Sequence, residues 1–157
     1  MKILFCGLLF DGLSDEPKKD MAVFIEGNRI IKIDSIDNVG ATKEYEVIDL
    51  RDKFVMPGLI DAHVHINMNG ELDSDRLFLY QTVAEMTLNS IKNVQRDLLA
   101  GFTTLRDVGS VDYSDIAVRN AIDAGQFWGP RMLVCGWSIS PPGGSSDSKC
   151  TRDITGN

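Results

Sequence analysis

Histidine, cysteine and proline are scarce in this sequence, and no apolar run is long. Histidine occurs twice in 157 residues, at His63 and His65. The three cysteines, Cys6, Cys135 and Cys150, lie at irregular distances and never as Cys-x-x-Cys. An odd, scattered set of thiols speaks against a disulfide framework and for a reduced, cytoplasmic chain. The apolar stretch over residues 3–10 is too short to span a bilayer, and no small-x-small cleavage site follows it. It reads as a first strand rather than a signal peptide. No long block of like charge suggests a disordered tail, and no internal repeat of solenoid length is present. After Val64 the chain continues His65-Ile66-Asn67-Met68-Asn69, not G-x-G-x-x-G, so an open nucleotide-binding sheet loses its main support. The net charge of −7 argues against nucleic acid or an anionic membrane as partner.

What is present is a soluble globular composition, 43% hydrophobic and 25% charged. The length fits one ordinary domain, or a small domain plus part of a larger one. The first part reads as short strands: residues 3–10, then 21–26 and 29–33 as a hairpin about Gly27-Asn28, then 44–50. A polar loop with Pro17 is expected over 14–20. This segment is too small to bury a strong core alone.

From Val55 the period changes. A strand to His65 and a polar loop over 66–75 are followed by a helix from about residue 79 to 100. Ala84, Leu88, Ile91, Gln95 and Leu98 form its expected inward stripe, and Gly101 its C-cap. A second strand is expected over 102–108. A second helix follows from about 114 to 124, capped by Asp112 or Ser114 and closed by Gly125. A third strand is expected over 131–139, before a Pro-Gly-Ser loop. Strands alternating with helices imply parallel βα units with right-handed crossovers.

One stretch carries chemistry: Val55-Met56-Pro57-Gly58-Leu59-Ile60-Asp61-Ala62-His63-Val64-His65. On a strand, Asp61, His63 and His65 share a face. Two adjacent imidazoles can bind one divalent transition metal. A bare His-x-His can be a surface accident, but the Pro-Gly entry and the preceding carboxylate make this one more specific.

This stretch resembles the first barrel strand of the amidohydrolase superfamily. The block Ala100-Gly101-Phe102-Thr103-Thr104-Leu105-Arg106-Asp107-Val108-Gly109, with Gly129-Pro130-Arg131, resembles the prolidase-like and imidazolonepropionase-like branch. The resemblance implies an α/β chain. An incomplete (β/α)8 TIM-type barrel, the first three βα units over residues 55–157, would follow part of a small β-sandwich over 1–54. It implies hydrolysis of an amide-type C–N bond, or deamination, by metal-activated water, on a small-molecule, Xaa-Pro dipeptide-like or cyclic amide substrate. His63 and His65 would be ligands to zinc, one or two ions in the intact enzyme. The family's remaining ligands are a carboxylated lysine, two later histidines and an aspartate that also serves as general base; none can be assigned here.

Asp61 would orient a ligand by a hydrogen bond, or serve as a structural carboxylate in the barrel floor. Arg106 and Asp107 would lie on the active-site side at the end of the second strand, pointing to opposite faces; a buried ion pair or helix contact is the plainer reading. Cys135, mid-strand, reads as a buried structural thiol. Met68 and Trp137 read as core packing or pocket lining. Many relatives carry Gly-Gly-His where this chain has Gly143-Gly144-Ser145, so that histidine's role does not carry over to Ser145.

A catalytic zinc takes three protein ligands and a TIM barrel roughly 250 residues. The expectation is therefore the N-terminal portion of a longer enzyme: a truncated frame, a fragment, or one half that needs a complementing C-terminal half or a homo-oligomeric partner. Alone it would bind metal weakly and be inactive. The alternative is a non-catalytic binding or assembly protein that keeps half of the fold.

Overall fold

The computed structural model describes residues 1–70, 80–144 and 146. The chain divides into two compact units, Met1–Pro57 and a second beginning at Gly58.

In the first unit, strand β1 (Lys2–Leu9) pairs antiparallel with β2 (Lys18–Glu26) and parallel with β4 (Glu46–Val55). Strand β3 (Arg29–Ser35) pairs with the far side of β2, giving the order β3-β2-β1-β4. The β2–β3 hairpin turns where expected, with Gly27 in the left-handed conformation at φ +57°. The parallel ladder is interrupted, because Cys6 faces Leu50 whereas Leu8 faces Phe54. Gly7 sits at that bulge, where a Cβ would come within 2.8 Å of the Arg51 carbonyl carbon. The Asp49 carboxylate braces the bulge by accepting from Arg51 Nε at 2.9 Å and Arg51 N at 3.1 Å.

Two boundaries differ from expectation. Strand β2 begins inside the expected polar loop, since pairing with Leu8 and Leu9 draws Lys19 and Lys18 into the ladder. Strand β4 continues past Leu50 to Val55, since Leu8 and Leu9 go on pairing with Phe54 and Val55. One buried cluster of this unit is Cys6, Leu9 and Val23, with Leu4, Met21, Ile25 and Val55 packed around them, and Ile3 and Ala22 are fully buried as well.

In the second unit, β5 (Leu59–Val64), β6 (Phe102–Asp107) and β7 (Arg131–Leu133) form a parallel sheet in that order. Parallel neighbours need crossovers. Helix α1 (Val83–Leu99) lies between β5 and β6 in the chain, and α2 (Ser114–Asp123) between β6 and β7. The architecture is thus mixed α/β, a four-stranded sheet followed by a parallel one. Ile66, Val94, Leu105, Val118 and Met132 make the core of this unit. The entry to β5 is fixed by Leu59 N donating to Gly101 O at 2.9 Å.

Helix α1 opens with a capping box between Thr82 and Glu85; the part expected before residue 80 lies outside the described residues. Its inward stripe is displaced from the expected one. Met86, Ser90 and Val94 are buried, whereas Leu88 is 66% exposed. Ser90 tolerates burial because its hydroxyl donates to Met86 O at 2.9 Å. Gln95, the polar member of the expected stripe, donates from Nε2 to Trp128 O at 3.3 Å.

Helix α2 is closed by Gly125 at φ +69°, but neither Asp112 nor Ser114 caps its start. A 3-10 turn over Val111–Tyr113 precedes it, and the N-cap is Tyr113, left-handed and without a side-chain cap. Strand β7 stops at Leu133 rather than running to 139. Beyond it, the Asp115 carboxylate takes the N–H groups of Cys135 and Gly136, at 3.2 and 2.8 Å, away from any ladder. No helix among the described residues is long and apolar enough to cross a membrane.

Candidate metal centre

Strand β5 reaches the histidines through a bulge. Asp61 faces Leu105 but Val64 faces Asp107, so β5 carries one residue more than β6 over this interval. The bulge interrupts strict alternation, yet it leaves the two imidazoles together, ring centroids 5.6 Å apart and nearly edge-to-face at 76°. His65 lies one residue past the strand, in a turn where Met68 N donates to His65 O at 3.0 Å. His63 is exposed and His65 half-buried.

His65 Nδ1 is 2.7 Å from Gly109 O. A carbonyl oxygen only accepts, so Nδ1 is the protonated nitrogen and Nε2 of a neutral ring keeps its lone pair. Two imidazoles, one with its tautomer set in this way, are a donor set that suits zinc or a neighbouring divalent metal.

The other expected residues divide. The Asp61 carboxylate accepts from His63 N at 3.0 Å, and among the described residues it bonds neither ring. Its charge adds to the raised carboxyl of Asp97 in α1, which burial pushes up first. Arg106 is exposed and donates from Nε to Ala62 O at 2.6 Å, across the bulge. Asp107 is buried and makes no ion pair among the described residues. It accepts instead from Gly109 N at 2.7 Å, Ile66 N at 2.9 Å and Ser110 Oγ at 3.2 Å. Burial raises its carboxyl, the Ile66 and Gly109 N–H groups oppose the rise, and the Asp115 charge adds to it.

Cys135 departs from expectation: it is exposed, beyond the end of β7. Its thiol is pushed up by desolvation, then by the charges of Asp107 and Asp115, so it is held away from the reactive thiolate. Donor atoms of Asp107, Asp115 and Cys135 lie within 4.8 Å of one another. Both carboxylates already accept backbone N–H groups there, which makes this a latch between loops. Met68 and Trp137 are each 39% exposed, and Trp137 meets the Tyr113 ring edge-on at 6.2 Å. Ser145 and Cys150 lie outside the described residues.

Two contributors escaped the sequence reading. Asn93 of α1 donates from Nδ2 to Ile66 O at 2.9 Å and Met68 O at 3.0 Å, tying down the chain after His65. Asp115, in the first turn of α2, holds the chain beyond β7. An amide among core positions and an acid in a first helical turn were the available signals. Neither announces a loop partner so distant in sequence.

The amidohydrolase family model matches residues 54–155, and the chain belongs to that family. Its members are generally metal-dependent hydrolases. A solved Xaa-Pro dipeptidase with bound methionine in the active site is 30% identical, with a TM-score of 0.84. That match covers 93% of this chain and 36% of the dipeptidase. A prolidase complexed with N-methylphosphonate-L-proline is also 30% identical, at a TM-score of 0.77 over 93% of this chain and 34% of that one. The dihydroorotase of Pediococcus pentosaceus is 31% identical over 90 residues, which are 57% of this chain and 17% of the relative. The chain thus spans little more than a third of the solved relatives' length, and less of the dihydroorotase.

Proposed function

We propose that this chain carries the first metal-binding strand of a hydrolase acting on amide-type C–N bonds, with an Xaa-Pro dipeptide-like substrate. In this reading β5, α1, β6 and α2 are the first two βα units of a (β/α)8 barrel and β7 is its third strand, and the first compact unit is part of a small β-sandwich. The observation that carries the reading is the His63–His65 pair at the end of a parallel strand, rings 5.6 Å apart. Active sites of such barrels lie at the C-terminal strand ends. The likeness to a Xaa-Pro dipeptidase and a prolidase supports the substrate class.

His63 and His65 would hold zinc through ring nitrogens, Nε2 in the case of His65. When bound, the metal supplies an acidified water and polarises the scissile carbonyl. The protein's own part is orientation. Gly109 O fixes the His65 tautomer, Arg106 Nε braces the bulge at Ala62, and Asn93 holds the chain beyond His65. Catalytic zinc takes three protein ligands, so two imidazoles alone hold it weakly.

The test is a zinc titration of the purified chain, followed by calorimetry, beside the His63→Ala/His65→Ala double variant. Saturable binding in the parent and none in the variant is the expected result. Equal binding in both would remove these histidines from the metal site.

A further inference from the structure

Asp107 is buried, carries no cation partner among the described residues, and spends its oxygens on the two chain segments that meet at His65. Oδ2 accepts from Ile66 N, the peptide immediately after the histidine, at 2.9 Å. Oδ1 accepts at 2.7 Å from the N–H of Gly109, the residue whose carbonyl receives the His65 ring. Ser110 Oγ donates to Oδ2 at 3.2 Å. One carboxylate therefore grips both ends of the imidazole–carbonyl hydrogen bond. Gly109 cannot drift to compensate, since Ser138 packs where a Cβ would stand, and Ser110 N is bonded to Gly136 O at 2.8 Å.

We propose that Asp107 is a positioning residue for His65. By holding the Ile66 and Gly109 peptides at a fixed separation, it keeps the His65 proton on Nδ1 and presents Nε2 as the ligand atom. The inference rests on the proposed metal role of His65 only for its consequence in metal affinity; the tautomer is a property of the chain itself. Groups that orient a metal-binding histidine typically change metal affinity about 10- to 100-fold when removed.

The chain has two histidines, so long-range 1H–15N spectra of 15N-histidine-labelled protein resolve four ring nitrogens, and His63→Ala assigns them. In the parent, His65 is expected as the Nδ1–H tautomer. Asp107→Asn replaces one acceptor oxygen by a donor amide, so an N–H of Ile66 or Gly109 loses its partner. The expected result is a mixture of His65 tautomers, an unchanged His63, and zinc affinity about 10- to 100-fold weaker. Ser110→Ala takes away only the hydroxyl bond to Asp107 and should speed solvent exchange of the His65 ring proton; it carries the test should Asp107→Asn not fold. An unshifted His65 in folded Asp107→Asn, or unchanged ring-proton exchange in Ser110→Ala where that variant carries the test, overturns the proposal even if zinc binds. A tautomer shift in Asp107→Asn, with a parent that binds no zinc, would keep the positioning role and defeat the metal reading instead.

Discussion

The ring of His65 reaches from the end of β5 to the carbonyl of Gly109, 44 residues further along, at 2.7 Å. This bond joins the loops after β5 and β6, and it depends on Gly109 having no side chain. Its φ is +156°, and a Cβ there would lie 2.7 Å from Ser138 Cβ. Gly109→Ala is expected to destabilise the fold by about 1–3 kcal/mol through overpacking. Urea denaturation, compared with the parent at one pH, measures the loss. An unchanged midpoint would show that the Ser138 segment yields freely.

The displaced stripe of α1 makes a paired prediction. Met86 is 4% exposed and Leu88 66% exposed. Met86→Ala should cost about 2–5 kcal/mol, as buried methionine truncations do. Leu88→Ala should stay within about 0.5 kcal/mol, as surface changes do. Thermal or urea unfolding of the two variants separates these outcomes, and the reverse order would restore the stripe through Leu88.

The capping box of α1 predicts a smaller effect. Thr82 Oγ1 accepts from Glu85 N at 3.2 Å, while Glu85 Oε2 accepts from Thr82 N at 2.8 Å. Thr82→Ala should cost about 1 kcal/mol. Restoring the cap with Ser should recover most of it, and helicity followed by circular dichroism through the melt reports both.

Acid sensitivity is predicted at Asp34. Hydrogen bonds from Asn38 and Lys32, then the Ser35 N–H, lower its pKa from 3.8 to about 2. A carboxyl depressed in the folded state contributes stability that is complete above its unfolded pKa and is lost as pH falls through the folded one. The stability gap between the parent and Asp34→Ala should therefore be full at pH 7, shrink below pH 4 and be mostly lost by pH 2. Denaturation at these three values checks it, and a gap independent of pH would rule the carboxylate out as its source.

Much of the architecture was legible because its signals are local. The Gly27-Asn28 turn, the Gly125 helix stop and the paired histidines need only neighbouring residues to declare themselves. The errors share one cause. The length of β4, the early end of β7, the buried side of α1 and the start of α2 are set by partners far along the chain. Leu8 and Leu9 extend β4, and Asp115 ends β7 by taking its following N–H groups. Propensity read over a short window cannot weigh such partners against a local preference.

The sequence alone determined the family resemblance, the order of strands and helices, and the two imidazoles at a strand end. Those follow from residue spacing. Only the tertiary structure decided how the imidazoles are held. The two rings stay together across a one-residue bulge in β5, and Gly109 O selects the His65 tautomer. Asp107, which the sequence could place only on the active-site side, turns out to grip the two segments joined by that bond. A hydrogen bond across 44 residues has no signature in either segment, because its geometry exists only once the parallel sheet has aligned β5 with β6.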